Sequence, residues 1–391
     1  MPSSPVRTQA AEAAEHVDGV PVGEVVRPQS TAEVADIMKD AAVQRLSVVV
    51  RGAGTKLPWG APPRSADLLL DLGGMSGVLE HEAGDLIVSA QAGTPLAELQ
   101  RIVGRTDQRL GVDEVVPGTT LGGLVATNVS GPRRVALGTV RDLLIGVTVV
   151  RADGVVARAG GKVVKNVAGY DLGKLMVGSY GTLAVITEAT FRLHPVPEAS
   201  ASTQVECGSP AEATDLVAAV MSSQIVPAAV EIDAERGRCT VSVLVEGTRA
   251  GVEQRSAAAA GLIGAPAARA SAPGIGLARD GSLLKITTQI SSATEIAQAA
   301  VQLGLHVRGS VGAGVLYAST DDPETAVTAV SRLRPLAAAR GGALVLVDAP
   351  AEVKSAVDVW GPVAALDLMR RVKHEFDPES RLAPGRFVGG I

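Results

Sequence analysis

The stretch from residue 160 to residue 192 places the strongest constraint on the fold of this chain. It opens with two glycines, continues in a pattern typical of a helix up to Met176, and reaches two more glycines that lie three residues apart. Residues 182–191 are rich in β-branched side chains, which predicts a buried strand. Because glycine has no Cβ and permits positive φ, this order of helix, turn and strand lets the backbone approach a flat or phosphorylated molecule closely. We therefore expect a ligand site here.

The length and composition indicate a globular protein. Of the 391 residues, 46% are hydrophobic and 20% are charged. A chain of this kind is long enough for two domains with sizeable cores. The net charge of −5 argues against a nucleic-acid partner held by a basic face, and an aromatic content of 2% is too low for a base-stacking surface. No nucleic-acid partner is expected.

Membrane, secretory and metal-binding classes are also disfavoured. The longest apolar runs, such as residues 143–145, are far shorter than the ~20 residues of a transmembrane helix. The N-terminal segment is acidic and has no apolar core, so we expect a cytoplasmic protein whose contact with a membrane, if any, is peripheral and made through partners. The two cysteines are too few for a disulfide framework or an iron–sulfur cluster, and the five histidines lie far apart. No metal site is expected.

A glycine-rich loop, Arg51–Lys56, follows a predicted buried strand at residues 47–50, which in turn follows a helix that Ser30 or Thr31 can cap. The loop can present several backbone N–H groups to a phosphate, although an isolated Gly-x-Gly is also typical of an ordinary tight turn. It lacks the Gly-Lys-Ser/Thr ending of a Walker A loop. It also lacks the third glycine of the dinucleotide fingerprint, because Leu57 stands there. Neither of these nucleotide-binding folds is supported.

A second unusual segment runs from Pro117 to Val156. Its first fifteen residues combine glycines, threonines and an asparagine, and this density of small hydroxyl side chains and bare backbone suits a cofactor with many acceptor atoms. The alternative is a tightly packed Gly/Ala-rich helix and loop. Residues 143–151 then predict a strand that turns into a hairpin at residues 152–154. Upstream, residues 68–92 predict two strands joined by a turn at Ala83-Gly84-Asp85.

Six motifs occur in order along the chain: RPxSxxEV, VVxRGxGT, PGTTLGGLxATNxSGP, GxVRDLLxGVxVVxxDG, GGKVVKNVAGYDLxKLMxGSxGTLxVITE and FDPxxRLxPGR. Their order and spacing resemble the FAD-binding subunit of glycolate oxidase. That family belongs to the vanillyl-alcohol oxidase and p-cresol methylhydroxylase (PCMH) superfamily of flavoproteins. The resemblance covers roughly residues 25–197 and 372–388. KNVAGYD is the motif most specific to this branch.

The resemblance implies an α+β fold in three parts. A two-part PCMH-type FAD-binding domain is expected over residues 20–197, an α+β cap domain over residues 198–360, and a C-terminal segment, residues 361–391, that returns to the FAD domain. The first glycine loop would wrap the FAD pyrophosphate, and the second would lie along the cofactor. The implied cofactor-binding residues are Val50, Arg51, Gly52, Ala53, Gly54, Thr55, Lys56, Pro117, Gly118, Thr119, Thr120, Gly122, Gly123, Thr127, Asn128, Gly131, Tyr180, Gly181, Thr182, Val185 and Ile186.

Two positions depart from the family pattern. Tyr180 stands where catalytic relatives often have Glu, and Ala383 stands where many have Asn before the final Pro-Gly. Contacts made by the backbone survive such changes, so FAD binding is expected, while a side-chain role at these two positions is not.

The attachment of the cofactor follows from the residues at the two loops. Some members of the superfamily bond FAD covalently through a His near the first glycine loop or a Cys near the second. Thr55, Lys56 and Val116 stand at those places here, and the first cysteine is Cys207. Noncovalent FAD is the consequence.

Beyond Pro197, alternating short apolar runs predict an α+β cap. Strands are expected near residues 203–207, 228–233, 239–246, 284–289, 315–319 and 343–347, with helices near residues 211–221 and 252–262. In the final segment, Trp360, Leu366, Met369 and Phe376 have helical spacing and predict a packed helix.

The cap has no cluster of His, Asp and Glu of the kind that a metal-assisted site uses. His306 is its only histidine, and Arg308 lies two residues on. An arginine suits a carboxylate ligand, but a surface pair is the preferred interpretation of these two residues. No catalytic residue is assigned.

The resemblance implies flavin-dependent oxidation of a short 2-hydroxy acid such as glycolate. The family works in a complex with a second, catalytic flavin subunit and an iron–sulfur subunit, so we expect this chain to be an FAD-binding subunit that passes electrons to a partner. Two alternatives stay open. One is a self-sufficient FAD-dependent oxidoreductase, and the other is a non-catalytic, flavin-bearing structural or relay subunit.

Overall fold

A computed structural model describes residues 8–10 (backbone), 15–161, 171–264, 276–277 and 280–391. The strands are β1 (Thr8–Ala10), β2 (His16–Val17), β3 (Val20–Val26), β4 (Val48–Arg51), β5 (Ala66–Asp71), β6 (Val78–Glu82), β7 (Ile87–Gln91), β8 (Gln108–Arg109), β9 (Leu144–Val150), β10 (Val156–Gly160), β11 (Val185–Arg192), β12 (His194–Pro195), β13 (Ala199–Cys207), β14 (Ala229–Glu235), β15 (Arg238–Gly247), β16 (Ser282–Thr287), β17 (His306–Ser310), β18 (Val315–Thr320) and β19 (Ala343–Asp348). The helices are α1 (Thr31–Gln44), α2 (Leu96–Val103), α3 (Leu121–Thr127), α4 (Arg134–Leu137), α5 (Val140–Leu143), α6 (Gly173–Met176), α7 (Ala213–Ser222), α8 (Arg249–Ile263), α9 (Ala293–Gln302), α10 (Pro323–Ala339), α11 (Ala351–Ala356) and α12 (Leu366–Phe376). Most of the KNVAGYD motif, residues 165–171, lies outside the described residues.

The first sheet has the strand order β1-β3-β5-β4, and β2 pairs with β3. Its β3–β5 and β4–β5 pairings are parallel. Helix α1 connects β3 to β4. The Ser30 hydroxyl caps this helix by accepting a hydrogen bond from the Glu33 amide at 3.2 Å, as the sequence predicts. Val34, Ile37 and Met38 are buried on the face of α1 that covers the sheet.

The second sheet is antiparallel, with the order β10-β9-β11-β7-β6. The predicted hairpin is the β9–β10 pair, and the predicted buried strand forms β11. The prediction of two strands in residues 68–92 is wrong, because parts of three strands lie there. Strands β6 and β7 do flank the turn at Ala83–Asp85, but Ala66–Asp71 forms β5 of the first sheet. The chain passes between sheets at Gly73 and Gly74, which a single apolar run does not reveal.

A seven-stranded antiparallel sheet, β13-β15-β14-β17-β18-β16-β19, forms the region of the predicted cap. One face buries alternate residues of these strands against α7, α8, α9 and α10. The other face contributes Leu283, Val315, Tyr317 and Val347 to the core of the second sheet. The predicted cap strands are present, and β17 was not predicted. The α+β fold class is confirmed.

The C-terminal segment returns to the first sheet. The Val48 amide donates to the Arg381 carbonyl at 2.8 Å, and the Ala383 amide donates to the Val48 carbonyl at 2.8 Å. Residues 381–383 therefore run beside β4 as an added, parallel strand-like segment. This return agrees with the expectation, whereas the domain boundaries at residues 197/198 and 360/361 stay a prediction. Within the described ranges, no helix is both long and apolar enough to cross a bilayer.

Candidate functional site

A cavity opens where the first sheet, the second sheet and the C-terminal segment meet. Its walls come from the end of β4 and the loop that follows, from α3, from the turn before β11 and the start of β11, and from the C-terminal segment. A concave site at which several elements converge is typical of cofactor binding.

The cavity brings together residues from all three predicted cofactor-binding segments. The predicted residues that line it are Val50, Arg51, Gly52, Ala53, Gly54, Thr55, Lys56, Thr120, Gly122, Gly123, Thr127, Tyr180, Gly181 and Ile186. The others, Pro117, Gly118, Thr119, Asn128, Gly131, Thr182 and Val185, do not line it. Val185 is instead fully buried in the core that contains α1, and a Cβ at Gly131 would lie 2.5 Å from the Cβ of Asp113.

The loop after β4 exposes backbone to the cavity. A Cβ at Gly52 would lie 2.3 Å from the Thr120 hydroxyl oxygen, so only glycine allows this loop and the N-terminus of α3 to touch. Within the described part of the chain, none of the backbone amides of residues 52–56 donates a hydrogen bond to the protein. Free amides on a tight glycine turn are the donors that a phosphate group accepts from.

Arg51 does not add a free charge to this loop. Its guanidinium forms ion pairs with Glu15 at 2.6 Å and with Asp71 at 2.7 Å. Of the two cationic residues that flank the loop, Arg51 is neutralised by carboxylates, and Lys56 is the one that keeps its charge for a ligand. Backbone donors and one lysine are what the loop offers to a ligand.

Lys56 is a buried ammonium that lines the cavity. Its Nζ donates to the Thr119 hydroxyl at 2.8 Å and lies 5.9 Å from the centroid of the Trp59 ring. Burial lowers the pKa of Lys56 to about 8, and the distant charge of Glu114 offsets this only in part. Within the described residues it forms no ion pair. A buried cation without a carboxylate is costly unless an anion accompanies it.

The N-terminus of α3 lies close to the cavity but offers it few free hydrogen-bond donors. Thr120 is the N-cap residue, and its hydroxyl accepts from the Gly123 amide at 3.4 Å. The Gly122 amide donates to the Ala92 carbonyl at 2.7 Å. A Cβ at Gly122 would lie 3.0 Å from the Cβ of Ala92. Gly122 thus lets α3 pack against Ala92, which directly follows β7, at the cavity wall.

Sequence reasoning missed the contribution of Arg386. This residue lines the cavity, is buried, and donates to the carbonyls of Leu57, Lys56 and Trp59, with the Trp59 contact at 3.1 Å. Burial lowers its pKa to about 10. The available signal was the FDPxxRLxPGR motif, whose last arginine is Arg386.

An aromatic cluster joins the rim of the cavity to the C-terminal segment. The Tyr180 ring lies 4.8 Å from Trp360 and 5.7 Å from Phe387, measured between centroids. Trp360 also donates from its indole nitrogen to the Arg386 carbonyl at 3.1 Å. Tyr180 therefore acts as a packing residue here, in place of the glutamate that catalytic relatives often carry.

In the region of the predicted cap, His306 and Arg308 are both paired with one carboxylate, that of Asp233. His306 Nε2 lies 2.7 Å from Asp233 Oδ1, and Arg308 Nε lies 3.0 Å from Asp233 Oδ2. This agrees with the interpretation of these residues as a surface pair. Among the described residues, no group of three His, Cys, Asp or Glu side chains could hold a metal ion.

These features fit a large anionic cofactor with a planar ring, because a glycine cradle, free amides and a buried lysine meet in one cavity. The sequence profile of an FAD binding domain matches residues 23–160, and that of the C-terminal domain of FAD linked oxidases matches residues 358–387. Over these two stretches the chain carries domains of FAD linked oxidases. Its cofactor is FAD.

This flavoprotein is similar to several curated proteins over about half of its length. It is 34% identical over 208 residues to glycolate oxidase subunit GlcD of Bacillus subtilis, covering 53% of this chain and 44% of that protein. It is 36% identical over 171 residues to glycolate oxidase subunit GlcE of Escherichia coli, covering 43% of this chain and 48% of that protein. It is 39% identical over 171 residues to a D-lactate dehydrogenase of Archaeoglobus fulgidus, covering 44% of this chain and 38% of that protein. The match spans less than half the length of each.

The fold as a whole is similar to that of a solved enzyme structure. An alkyldihydroxyacetonephosphate synthase superposes with a TM-score of 0.69 at 17% identity, covering 94% of this chain and 78% of that chain. At this identity the likeness concerns the fold alone.

Proposed function

We propose that this chain is the FAD-binding subunit of a complex that oxidises a short 2-hydroxy acid such as glycolate and passes the electrons to a partner. The observation that carries the proposal is that most of the cavity lining lies within residues 23–160 and 358–387, which match the FAD binding domain and the C-terminal domain of FAD linked oxidases. The similarity of the chain to glycolate oxidase subunits and a D-lactate dehydrogenase supports the choice of substrate class. FAD, when bound, supplies the oxidant for the carbon that bears the hydroxyl group.

The predicted residues that line the cavity would hold the cofactor. The free amides of residues 52–56 would donate to its pyrophosphate, and Lys56 would supply the positive charge. Arg386 would brace the loop by holding its carbonyls rather than by touching the cofactor. The cofactor would come close to the backbone of the cavity wall at three residues that have no Cβ, Gly52, Gly122 and Gly123.

We propose that FAD is held noncovalently. The residues that line the cavity include no His and no Cys. Acid precipitation of the FAD-loaded chain should leave the yellow colour in the supernatant, and colour retained in the washed pellet would contradict noncovalent attachment.

The proposal of partner subunits rests on electron transfer. Electrons must leave reduced FAD, and two cysteines in 391 residues cannot ligate an iron–sulfur cluster within this chain. A catalytic flavin subunit and an iron–sulfur subunit, as in glycolate oxidase-like complexes, are the proposed partners. The similarity to both a GlcD-type and a GlcE-type subunit supports this assignment.

The test compares the isolated, FAD-loaded chain with the native complex that co-purifies with it. Reduction of an artificial dye by glycolate and D-lactate is measured for both at equal flavin content. We expect the complex to turn over and the isolated chain to be much slower. Equal turnover would favour the self-sufficient oxidoreductase, and a complex whose flavin no 2-hydroxy acid reduces would favour the structural or relay subunit.

A further inference from the structure

The two cysteines of the chain stand directly opposite each other in the seven-stranded sheet. Cys207 is the last residue of β13, and its partner on the antiparallel strand β15 is Cys239. Residues in such opposite positions have Cα atoms about 4.5–5.5 Å apart, whereas a disulfide joins Cα atoms about 4.4–6.8 Å apart. The backbone therefore needs no large movement for a bond between the two sulfurs.

Both side chains also point to the same face of the sheet. Cys239 is buried in the core that the sheet forms with α7, α8, α9 and α10, and Cys207 packs against that core with part of its surface exposed. The neighbouring opposite pair on this face, Val205 and Val241, belongs to the same core. The two sulfurs thus meet the second condition for a disulfide, which is that the Cβ atoms do not point apart. In this structure both are free thiols.

The surroundings of the pair keep both sulfurs protonated. Burial raises the pKa of Cys207, and the charge of Glu212 adds to this. Burial raises the pKa of Cys239 to about 12, with smaller contributions from Cys207, Asp233 and Glu212. Because the thiolate is the form that binds metals and attacks substrates, neither cysteine is prepared for such a role. Slow oxidation to a disulfide is the chemistry that the geometry leaves to them.

The position of the pair gives a disulfide a mechanical effect. Strand β13 lies at the edge of the sheet and pairs along its whole length with β15 alone. A strand with one neighbour opens more easily than a central strand. Its first residue, Ala199, follows shortly after β12, which pairs with β8 of the FAD-binding part, whereas Cys207 is at the opposite end. A bond at Cys207 would therefore fasten the end of β13 that the FAD-binding part does not hold.

We propose that Cys207 and Cys239 are a modification site, at which a peroxide converts the two thiols to a reversible disulfide that fastens β13 to β15. The sulfur of Cys207, which solvent reaches, attacks one oxygen of the peroxide. The O–O bond breaks, Cys207 becomes a sulfenic acid, and one water leaves.

The second step forms the bond. The sulfur of Cys239 attacks the sulfur of the sulfenic acid, the S–O bond breaks, and the hydroxyl leaves with the Cys239 proton as a second water. The two thiols lose two electrons, and the two oxygens of hydrogen peroxide accept them. Neither cysteine lines the FAD cavity, so this inference is independent of the proposed function.

The test uses the FAD-loaded full chain before and after incubation with hydrogen peroxide. Free thiols are counted in denaturant, and peptides from a digest without reductant are weighed. We expect both thiols to disappear together, the two cysteine peptides to be joined with the loss of two hydrogen atoms, and dithiothreitol to restore both thiols. The oxidised chain should melt at a higher temperature with unchanged FAD content, because the bond restricts the unfolded chain.

Cys207→Ser is the matched control. It keeps Cys239 and all six methionines, so peroxide can oxidise it everywhere except by forming the bond. Its melting temperature should not rise with peroxide, and a rise equal to that of the unaltered chain would assign the effect to other residues. If this variant does not fold, the peptide map of the unaltered chain still decides whether the bond forms.

Four results would overturn the inference. The folded chain keeps both thiols after peroxide, or its cysteines end as sulfinic or sulfonic acids without a bond. The bond joins two copies of the chain instead of two strands of one copy, or it forms only in chains that were unfolded beforehand.

Discussion

The ammonium of Lys373 lies 2.6 Å from Oδ2 of Asp377, and both side chains are almost completely buried. Lys373 also donates to the carbonyls of Thr182 at 2.7 Å and Leu382 at 3.0 Å. The same oxygen of Asp377 accepts from the Leu382 amide at 2.7 Å. This pair fastens α12 both to the turn that borders the FAD cavity and to the segment beside β4, so it ties the C-terminal segment to the cofactor site.

We predict that Asp377→Asn lowers the free energy of unfolding by about 3–5 kcal/mol, because it leaves the Lys373 ammonium buried without its counter-charge. Denaturant unfolding measures the loss. Asp367→Asn is the control on the same helix, since the Asp367 side chain is 98% exposed, and it should leave stability nearly unchanged. Equal stability of the two variants would show that the pair does not fasten this segment.

A second prediction concerns the contact between Gly52 and Thr120. Gly52→Ala places a Cβ 2.3 Å from the Thr120 hydroxyl oxygen, which forces the loop away from α3 and should abolish FAD binding. FAD content after purification is the measurement. The control is Gly84→Ala, where a Cβ meets no atom within 4 Å. Thr120→Ala combined with Gly52→Ala should restore part of the binding, and full FAD content in Gly52→Ala alone would reduce the loop to an ordinary turn.

Lys56 gives a third prediction. We expect Lys56→Met to weaken FAD binding by about tenfold or more, since it removes the buried charge that would face the anionic cofactor. The folded apoprotein should be no less stable, because the methionine removes the cost of burying an ammonium. The measurement is the FAD dissociation constant, with Lys39→Met, on an exposed part of α1, as the control.

The pH dependence of FAD binding follows from the same residue. Burial lowers the Lys56 pKa to about 8, so the free protein loses this positive charge as the pH rises through about 8. Affinity for FAD should fall over that range in the unaltered chain and stay flatter in Lys56→Met. Parallel pH profiles for the two proteins would exclude Lys56 as the source of the charge.

The parts of the fold that depend on local sequence could be predicted. Ser30 caps α1 because a hydroxyl before an amphipathic run satisfies a free amide, and the turn at residues 152–154 sets the β9–β10 hairpin. The glycine loop could also be predicted as part of the site, because its signal is local in the sequence. What the sequence does not reveal is that Arg51 is tied to Glu15 and Asp71 and so is not free for a phosphate.

The remainder of the site depends on contacts between distant segments. Arg386 reaches carbonyls of residues 56–59, more than 300 positions away, and no local pattern predicts that meeting. Tyr180 and Ala383 both depart from the family pattern, and both have positive φ, 54° and 43°. The Asn that many relatives carry at the position of Ala383 tolerates this backbone region better than Ala does. The departure thus has a conformational cost that only the structure reveals.

The last prediction concerns stability and Glu231. Burial raises the pKa of this carboxyl from its usual value to about 8, and the weaker effect of Asp113 acts in the same direction, while Ser310 and Arg134 oppose it. The folded chain therefore keeps a proton that the unfolded chain releases near pH 4.5. The stability this proton provides is complete below that pH, declines as the pH rises, and is lost above about pH 8, a change on the order of 5 kcal/mol. Glu231→Gln stays neutral at every pH, so its free energy of unfolding should gain on that of the unaltered chain between about pH 4.5 and about pH 8. Glu253→Gln, at an exposed position on α8, should show no such gain. If the stability of Glu231→Gln changes with pH in parallel with that of the unaltered chain, Glu231 is not the group that carries the buried proton.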